Sequence, residues 1–166
     1  MAKILGFCKS HVEQAAELAI AGYGEERAKV AALPQTGGLP DGALEKFADS
    51  GLGVAMLDGG RMLGFLCCGD PWDGAFGSAA RGVFAPSYAH GAEPKNRGAI
   101  YRKLYQAAAE IWVSRGIAYH AVCLHAHDSQ AIDAFFSCGF GSRCVDAIRP
   151  AKGWNLRSLP RRTPPG

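Results

Sequence analysis

The sequence lacks the features that mark membrane, metal-binding and dinucleotide-binding proteins. No apolar run in its 166 residues approaches the length of a membrane span, and the apolar start of the chain is too short for a secretory signal. The six cysteines include no Cys-x-x-Cys pair, so neither a zinc site nor a disulfide framework is expected. No glycine-rich turn follows the first apolar segment, residues 3–7, which argues against a doubly wound nucleotide-binding fold. These absences predict a protein of a reducing, cytoplasmic compartment, with no metal site and no membrane partner.

The sequence also lacks a large excess of positive or negative charge over most of its length. The formal net charge is +3, but residues 151–166 contain basic residues and no acidic one, so the rest of the chain is close to neutral. Binding to nucleic-acid phosphates depends on clustered cations, and we therefore expect no nucleic-acid partner. Apolar residues make up 48% of the composition, which suits one compact domain over residues 1–150. We expect residues 151–166, a basic and proline-rich tail, to be disordered or to begin a truncated second domain.

The apolar periodicity predicts an α/β protein with the element order β-α-α-β-β-β-α-β-α-β. Residues 58–60, Asp-Gly-Gly, favour a tight hairpin because glycine accepts a positive φ. Asp128 is placed to cap the last helix, and Gly139 to end it. The predicted strands cover residues 3–7, 52–57, 62–68, 82–85, 118–124 and 140–148, the helices start near residues 10, 41, 96 and 128, and residues 87–95 are assigned to a loop.

The segment from Asp128 to Phe140 carries the most specific signal. Asp128, Ala131, Phe135, Gly139 and Phe140 lie at the spacing of the motif Asn-x-x-Ala-x-x-x-Tyr-x-x-x-Gly-Phe. This strand-to-helix segment resembles the closing half of the Gcn5-related N-acetyltransferase (GNAT) domain, and the element order of residues 3–149 is similar to that of the family. The resemblance implies a mixed, mostly antiparallel central sheet flanked by helices. The family's final strand is missing: another chain supplies it, the domain is naturally short, or the chain is a piece of a longer protein.

The resemblance implies acetyl-CoA as the cofactor. In the family, backbone N–H groups at the start of a helix hold the pyrophosphate, and the backbone of the preceding strand binds the pantetheine arm. This chain keeps one glycine of the pyrophosphate loop and brings two cations to it, although an ordinary solvated helix start has the same pattern. The residues implied as cofactor-binding are Val83, Phe84, Ala85, Lys95, Asn96, Arg97, Gly98, Ala99, Ile100, Tyr101, Asp128 and Phe135.

The chain departs from the family at the position of the general acid. A departing thiolate benefits from a proton donor, which is often a tyrosine where this chain has Phe135. Phenylalanine cannot donate a proton, so we expect His127, Ser129 or Tyr88 to do so. A wider set of polar residues lies at predicted strand ends and nearby loops: Asp70, Asp73, Tyr88, His90, Glu93, His125 and His127. Each of them taken singly more often has a solvated or capping role, but their gathering is typical of a substrate site.

Two functions remain open at this point. The first is acetyl-CoA-dependent transfer of an acetyl group to an amine of a small molecule or a peptide. The alternative is a catalytically silent domain of the same fold, which binds acyl-CoA or pairs with another domain or subunit. In either case a strand at residues 140–148 would expose unpaired backbone groups, so we expect a homodimer or a partner domain to cover that edge.

Overall fold

The computed structural model describes residues 1–35 and 39–148. The strands are β1 (Lys3–Gly6), β2 (Val54–Asp58), β3 (Arg61–Leu66), β4 (Gly82–Ala85), β5 (His90–Ala92) and β6 (Tyr119–Val122). The helices are α1 (Val12–Lys29), α2 (Ala43–Ser50), α3 (Arg97–Ser114) and α4 (Ser129–Ser137). The predicted tail, residues 151–166, lies outside the described residues.

The strands form two sheets that meet where β4 is followed by β5. β1, β2, β3 and β5 form an antiparallel sheet in that order, and β4 and β6 form a parallel pair. The predicted hairpin between β2 and β3 is confirmed: Gly59 and Gly60 have φ values of 58° and 87°, which glycine adopts without a steric penalty. The predicted fold class, a mostly antiparallel sheet flanked by helices, is also confirmed.

α1 and α3 cover opposite faces of the antiparallel sheet. A methyl group on Gly91 of β5 would lie 2.9 Å from Leu18 of α1, whereas one on Gly64 of β3 would lie 2.8 Å from Ile100 of α3. These close approaches require glycine, since a side chain at either position would push a helix off the sheet. The core therefore consists of two layers, one on each side of the sheet.

The predicted ends of α3 and α4 are confirmed. Gly116, just beyond α3, has a φ of 74°, and Gly139, just beyond α4, has a φ of 92°. Asp128 caps α4, because its Oδ1 accepts a hydrogen bond of 2.9 Å from the backbone N–H of Ala131. Trp112 of α3 is buried, and its indole N–H donates to the carbonyl of Leu52 at 2.8 Å.

Three sequence predictions are wrong. Residues 87–95 are not all loop, since His90–Ala92 form β5. Residues 140–148 form no strand; the part described after residue 140 is exposed and pairs with no described strand, and Arg143 instead lies over the ring of Phe76 at 5.1 Å. The strand predicted at 118–124 is shorter than expected and only half-buried, because one of its edges has no partner strand in the described range.

Two cysteines belong to the core. Cys67 and Cys68, which follow β3, are fully buried, and burial raises the pKa of Cys68 to about 12. Both thiols are therefore core groups. Within residues 1–35 and 39–148, no helix combines the length and apolar character that crossing a bilayer would require.

Candidate functional site

The candidate site is the gap where β5 diverges from β6. The parallel ladder of β4 and β6 ends where the N–H of Cys123 donates to the carbonyl of Ala85 at 2.8 Å. After the turn at residues 86–89 the chain no longer pairs with β6 but with β3. The backbone groups of Gly91 point toward β3, because those of Ala89 and Glu93, two residues away on each side, form hydrogen bonds on that side. By alternation, the backbone groups of His90 and Ala92 point into the gap, where no described strand pairs with them.

The backbone of β4 does not have the free groups that a pantetheine arm would need. Gly82, Val83, Phe84 and Ala85 form the parallel ladder with β6 on one edge. On the other edge, the carbonyl of Phe84 accepts from the N–H of Gly69 at 2.9 Å, and residues 72 and 82 exchange two hydrogen bonds. At the gap, the described strand whose backbone groups are unpaired is β5, a segment that was predicted from the sequence as part of a loop.

A buried histidine bridges the inner end of the gap. His90 Nε2 lies 2.8 Å from the carbonyl of Cys123, and Nδ1 lies 3.0 Å from the hydroxyl of Tyr101. Burial lowers the pKa of His90 to about 4, so the ring is neutral at physiological pH. A neutral ring has one N–H, which must be at Nε2 because a carbonyl can only accept. The Tyr101 hydroxyl therefore donates to Nδ1, and burial raises the pKa of this hydroxyl as well.

An ionic cluster closes the outer end of the gap. It consists of Glu25 and Glu26 of α1, Arg97 of α3, and His127 and Asp128 between β6 and α4. Arg97 donates two hydrogen bonds of 2.8 Å to Glu25 and one of 3.3 Å to Asp128. His127 lies 2.6 Å from Glu26 through Nδ1 and 3.0 Å from Glu25 through Nε2. The cluster thus ties three elements together across the gap.

Charge pairing fixes the ionisation of the cluster. The hydrogen bonds from Arg97 lower the pKa of Glu25 to about 2. Burial alone would lower the pKa of His127, but the hydrogen bonds to Glu25 and Glu26 outweigh it and raise that pKa. Both ring nitrogens of His127 face carboxylate oxygens, an arrangement that needs two N–H donors. His127 is therefore an imidazolium held between two carboxylates.

The first turn of α3, the predicted pyrophosphate loop, has free backbone donors. The N–H groups of Arg97, Gly98 and Ala99 have no partner within the helix, and the side chain of Asn96 at the N-cap makes no capping hydrogen bond. Asn96 has a φ of 60°, a conformation that asparagine tolerates. Such a terminus is suited to an anion.

The predicted cofactor residues at this turn differ in their availability. Lys95, Asn96 and Ala99 are exposed, whereas Ile100 and Tyr101 are buried in the core. Arg97 is 8% exposed, and its guanidinium is engaged in the ionic cluster. Of the two predicted cations, only Lys95 reaches solvent.

The three predicted proton donors lie in different environments. Only His127 belongs to the ionic cluster. Ser129 is exposed at the first position of α4, and Tyr88 stacks on Phe47 of α2 with ring centroids 6.1 Å apart. Phe135 is 2% exposed and packs against aromatic rings that include Tyr101 at 5.6 Å.

Glu25 and Glu26 were not predicted from the sequence. Glu25 and Glu26 lie near the C-terminal end of α1, where the helix dipole disfavours negative charge unless a cation lies opposite. That unfavourable position was the one available signal. In the described residues, no group of three or more histidine, cysteine, aspartate and glutamate side chains is arranged to hold a metal ion.

Solved structures share this architecture at low sequence identity. No protein-family model and no curated protein matches the chain. An aminoglycoside acetyltransferase from an uncultured soil metagenomic sample, in complex with sisomicin, is 16% identical with a TM-score of 0.59, over 91% of this chain and 97% of that one. An aminoglycoside N-acetyltransferase in complex with CoA is 16% identical with a TM-score of 0.57, over 91% and 95% of the two chains. A ribosomal-protein-alanine N-acetyltransferase from Brucella melitensis is 12% identical with a TM-score of 0.61, over 90% and 99%. The described chain therefore has the GNAT fold.

Proposed function

We propose that this domain is an acetyl-CoA-dependent N-acetyltransferase that acts on an amine. The observation that carries the proposal is the continuity of two binding elements. The unpaired edge of β5 leads within a few residues to the uncapped N-terminus of α3. An extended amide-containing arm can pair with a strand edge, and a phosphate can bind the helix N–H groups. A CoA molecule has both parts in that order.

The cofactor arm lies along β5 in this proposal. The backbone groups of His90 and Ala92 replace those of Val83 to Ala85, which already have hydrogen-bond partners in β6 and the loop before β4. The pyrophosphate lies at the first turn of α3, near the exposed Lys95. Asp128 serves as the cap of α4 and as a partner of Arg97, and Phe135 serves as a core residue of the α3–α4 interface.

His127 is the proton donor in this proposal. Acetyl-CoA would supply an acetyl thioester, whose sulfur needs a proton as it leaves. His127 holds a proton at Nε2, and the hydrogen bonds to Glu25 and Glu26 raise its pKa, which favours the imidazolium. The two carboxylates fix the orientation of the ring, whereas Tyr88 packs against Phe47 of α2.

A second function is favoured by a different observation. His90 and Arg97 bridge the gap with side chains, and Phe135 has no hydroxyl group. These features favour a catalytically silent domain that binds acyl-CoA or pairs with another domain. Isothermal titration calorimetry with CoA and acetyl-CoA, followed by mass spectrometry of a panel of amines, separates the two. The proposed enzyme binds both ligands and acetylates at least one amine; binding without any acetylation would favour the silent domain, and no binding would refute both cofactor roles.

The proposed function also includes a cellular compartment, an acceptor and a partner subunit or domain. All six cysteines are free thiols, which supports a reducing, cytoplasmic compartment. The acceptor is a small molecule or a peptide amine. A second copy or a partner domain covers the edge of β6 that has no partner in the described residues, since unpaired strand edges are rarely left open. Light scattering at micromolar concentration tests the homodimer, and a monomer would contradict it.

A further inference from the structure

Arg97 spans the gap that the cofactor arm would have to enter. Its Nε–H donates to the carbonyl of Ala92 on β5 at 3.2 Å, while its Nη1 reaches Asp128 on the opposite side. The carbonyl of Ala92 is one of the groups on the unpaired edge of β5. A ligand that pairs with this edge must therefore displace the guanidinium from Ala92.

The two acidic partners of Arg97 differ in their freedom to move. Asp128 is held by its second role, because its Oδ1 caps α4, and its side chain is 11% exposed. The side chain of Glu25 is 36% exposed. It supplies both hydrogen bonds of the two-pronged contact. Glu25 is thus the partner that can exchange with a ligand at small structural cost.

We propose that Glu25 controls access to the cofactor site by holding Arg97 across the gap, and that the cofactor enters when Arg97 exchanges Glu25 for a phosphate group. This inference rests on the proposed function, since it assumes that the ligand carries phosphates near the start of α3. The exchange is chemically matched, because the planar fork of a guanidinium binds carboxylate and phosphate with the same two-pronged geometry. The free protein is then held closed, and CoA competes with Glu25 for one cation.

Two matched variants separate this exchange from a general change in charge. Glu25→Gln weakens the contact to Arg97. Glu26→Gln removes the same charge at the next residue, whose side chain contacts His127 and not Arg97. CoA affinity is measured by calorimetry for both variants and the wild type. Because a partly exposed ion pair contributes up to about 1 kcal/mol, we expect CoA to bind Glu25→Gln about five-fold more tightly than the wild type. Glu26→Gln should bind within about two-fold of the wild type on the same scale.

A second measurement needs no cofactor. Phenylglyoxal modifies accessible arginines, and peptide mass spectrometry can compare Arg97 with the exposed Arg102 in the same protein. We expect Arg97 to be protected in the wild type and to react faster in Glu25→Gln, with Arg102 unchanged. Melting temperatures confirm that the variants are folded before either measurement.

The outcomes distinguish the two ideas. Equal CoA affinities for Glu25→Gln and the wild type, equal gains in the two glutamine variants, or an Arg97 as reactive as Arg102 would overturn the access role while leaving the CoA site in place. If neither the wild type nor Glu25→Gln binds CoA although Arg97 becomes reactive in the variant, the proposed function is wrong, and the cofactor exchange falls with it.

Discussion

Acidification should destabilise the protein through His90. This side chain is 4% exposed, and its pKa is lowered to about 4 from an ordinary value of 6.5 because burial disfavours the imidazolium. As the pH falls, the unfolded chain takes up a proton near the ordinary pKa, whereas the folded protein does so only near the lowered one. The unfolded state therefore binds more protons between these two values, and the free energy of unfolding falls as the pH falls through this range.

The size of the effect follows from the shift. One pKa unit corresponds to about 1.4 kcal/mol, so a descent from about pH 7 to about pH 4.5 should remove about 2 kcal/mol through His90 alone. Other groups, including Glu25, also titrate in this interval. Their contribution is removed by comparison with His90→Gln, in which the amide can still donate to the carbonyl of Cys123 and accept from the hydroxyl of Tyr101.

The assay is urea unfolding of both proteins at the two pH values. We expect His90→Gln to be the less stable protein near neutral pH, because it fills the site less well. The gap between the two proteins should then narrow by about 2 kcal/mol at the lower pH, where the wild type has lost the contribution of its neutral histidine. A gap that stays constant with pH would show that His90 titrates at its ordinary value, and the buried Tyr101–His90–Cys123 arrangement would have to be given up.

Three further predictions concern α4 and the residues beside it. Asp128→Ala should lower the free energy of unfolding by about 1 kcal/mol through loss of the cap, and Asp128→Asn by less because asparagine also caps; equal losses in urea unfolding would contradict this. Phe135→Tyr should cost about 1–3 kcal/mol in the same assay and leave acetyl transfer no faster, because the new hydroxyl is buried among aromatic rings; a faster rate would place it at the reacting atoms. The stabilising effect of His127, which faces Glu25 and Glu26, should be complete below its ordinary pKa and lost as the pH rises through its raised pKa. Unfolding of the wild type and His127→Gln should therefore converge at alkaline pH, and a gap that widens with pH would refute the pairing.

Local patterns were sufficient to predict most of the elements. The Asp-Gly-Gly turn at residues 58–60 fixes its hairpin, and the cap at Asp128 with Gly139 at the exit fixes α4, because each depends on backbone conformations of a few adjacent residues. β5 could not be predicted in this way. It is a short segment, His90–Ala92, that closely follows Pro86. It forms a strand only because its backbone pairs with that of β3.

The wrong prediction of a strand at residues 140–148 has the opposite cause, the absence of a pairing strand in the described residues. The segment contains enough apolar residues to suggest a strand, but a strand forms only where a neighbour pairs with its backbone groups. No described strand lies beside this segment, and its residues after Phe140 are exposed. Sequence pattern thus predicts the capacity to form a strand, whereas the presence of a partner decides the outcome.

The candidate site was predictable only in its backbone. The start of α3 near residue 96 depends on a few adjacent residues and was predicted from the sequence. Whether Arg97 is free to meet an anion depends instead on Glu25, which is 72 residues earlier in the chain. The motif at the start of α3 contains no information about that contact. The one hint is the pair Glu25 and Glu26, whose charges are unfavourable at the end of their own helix and therefore require cations from elsewhere. Two acidic charges at that end of a helix are stabilised by cations opposite them, and the structure shows that these cations are Arg97 and His127, which come from other elements and complete the cluster across the gap.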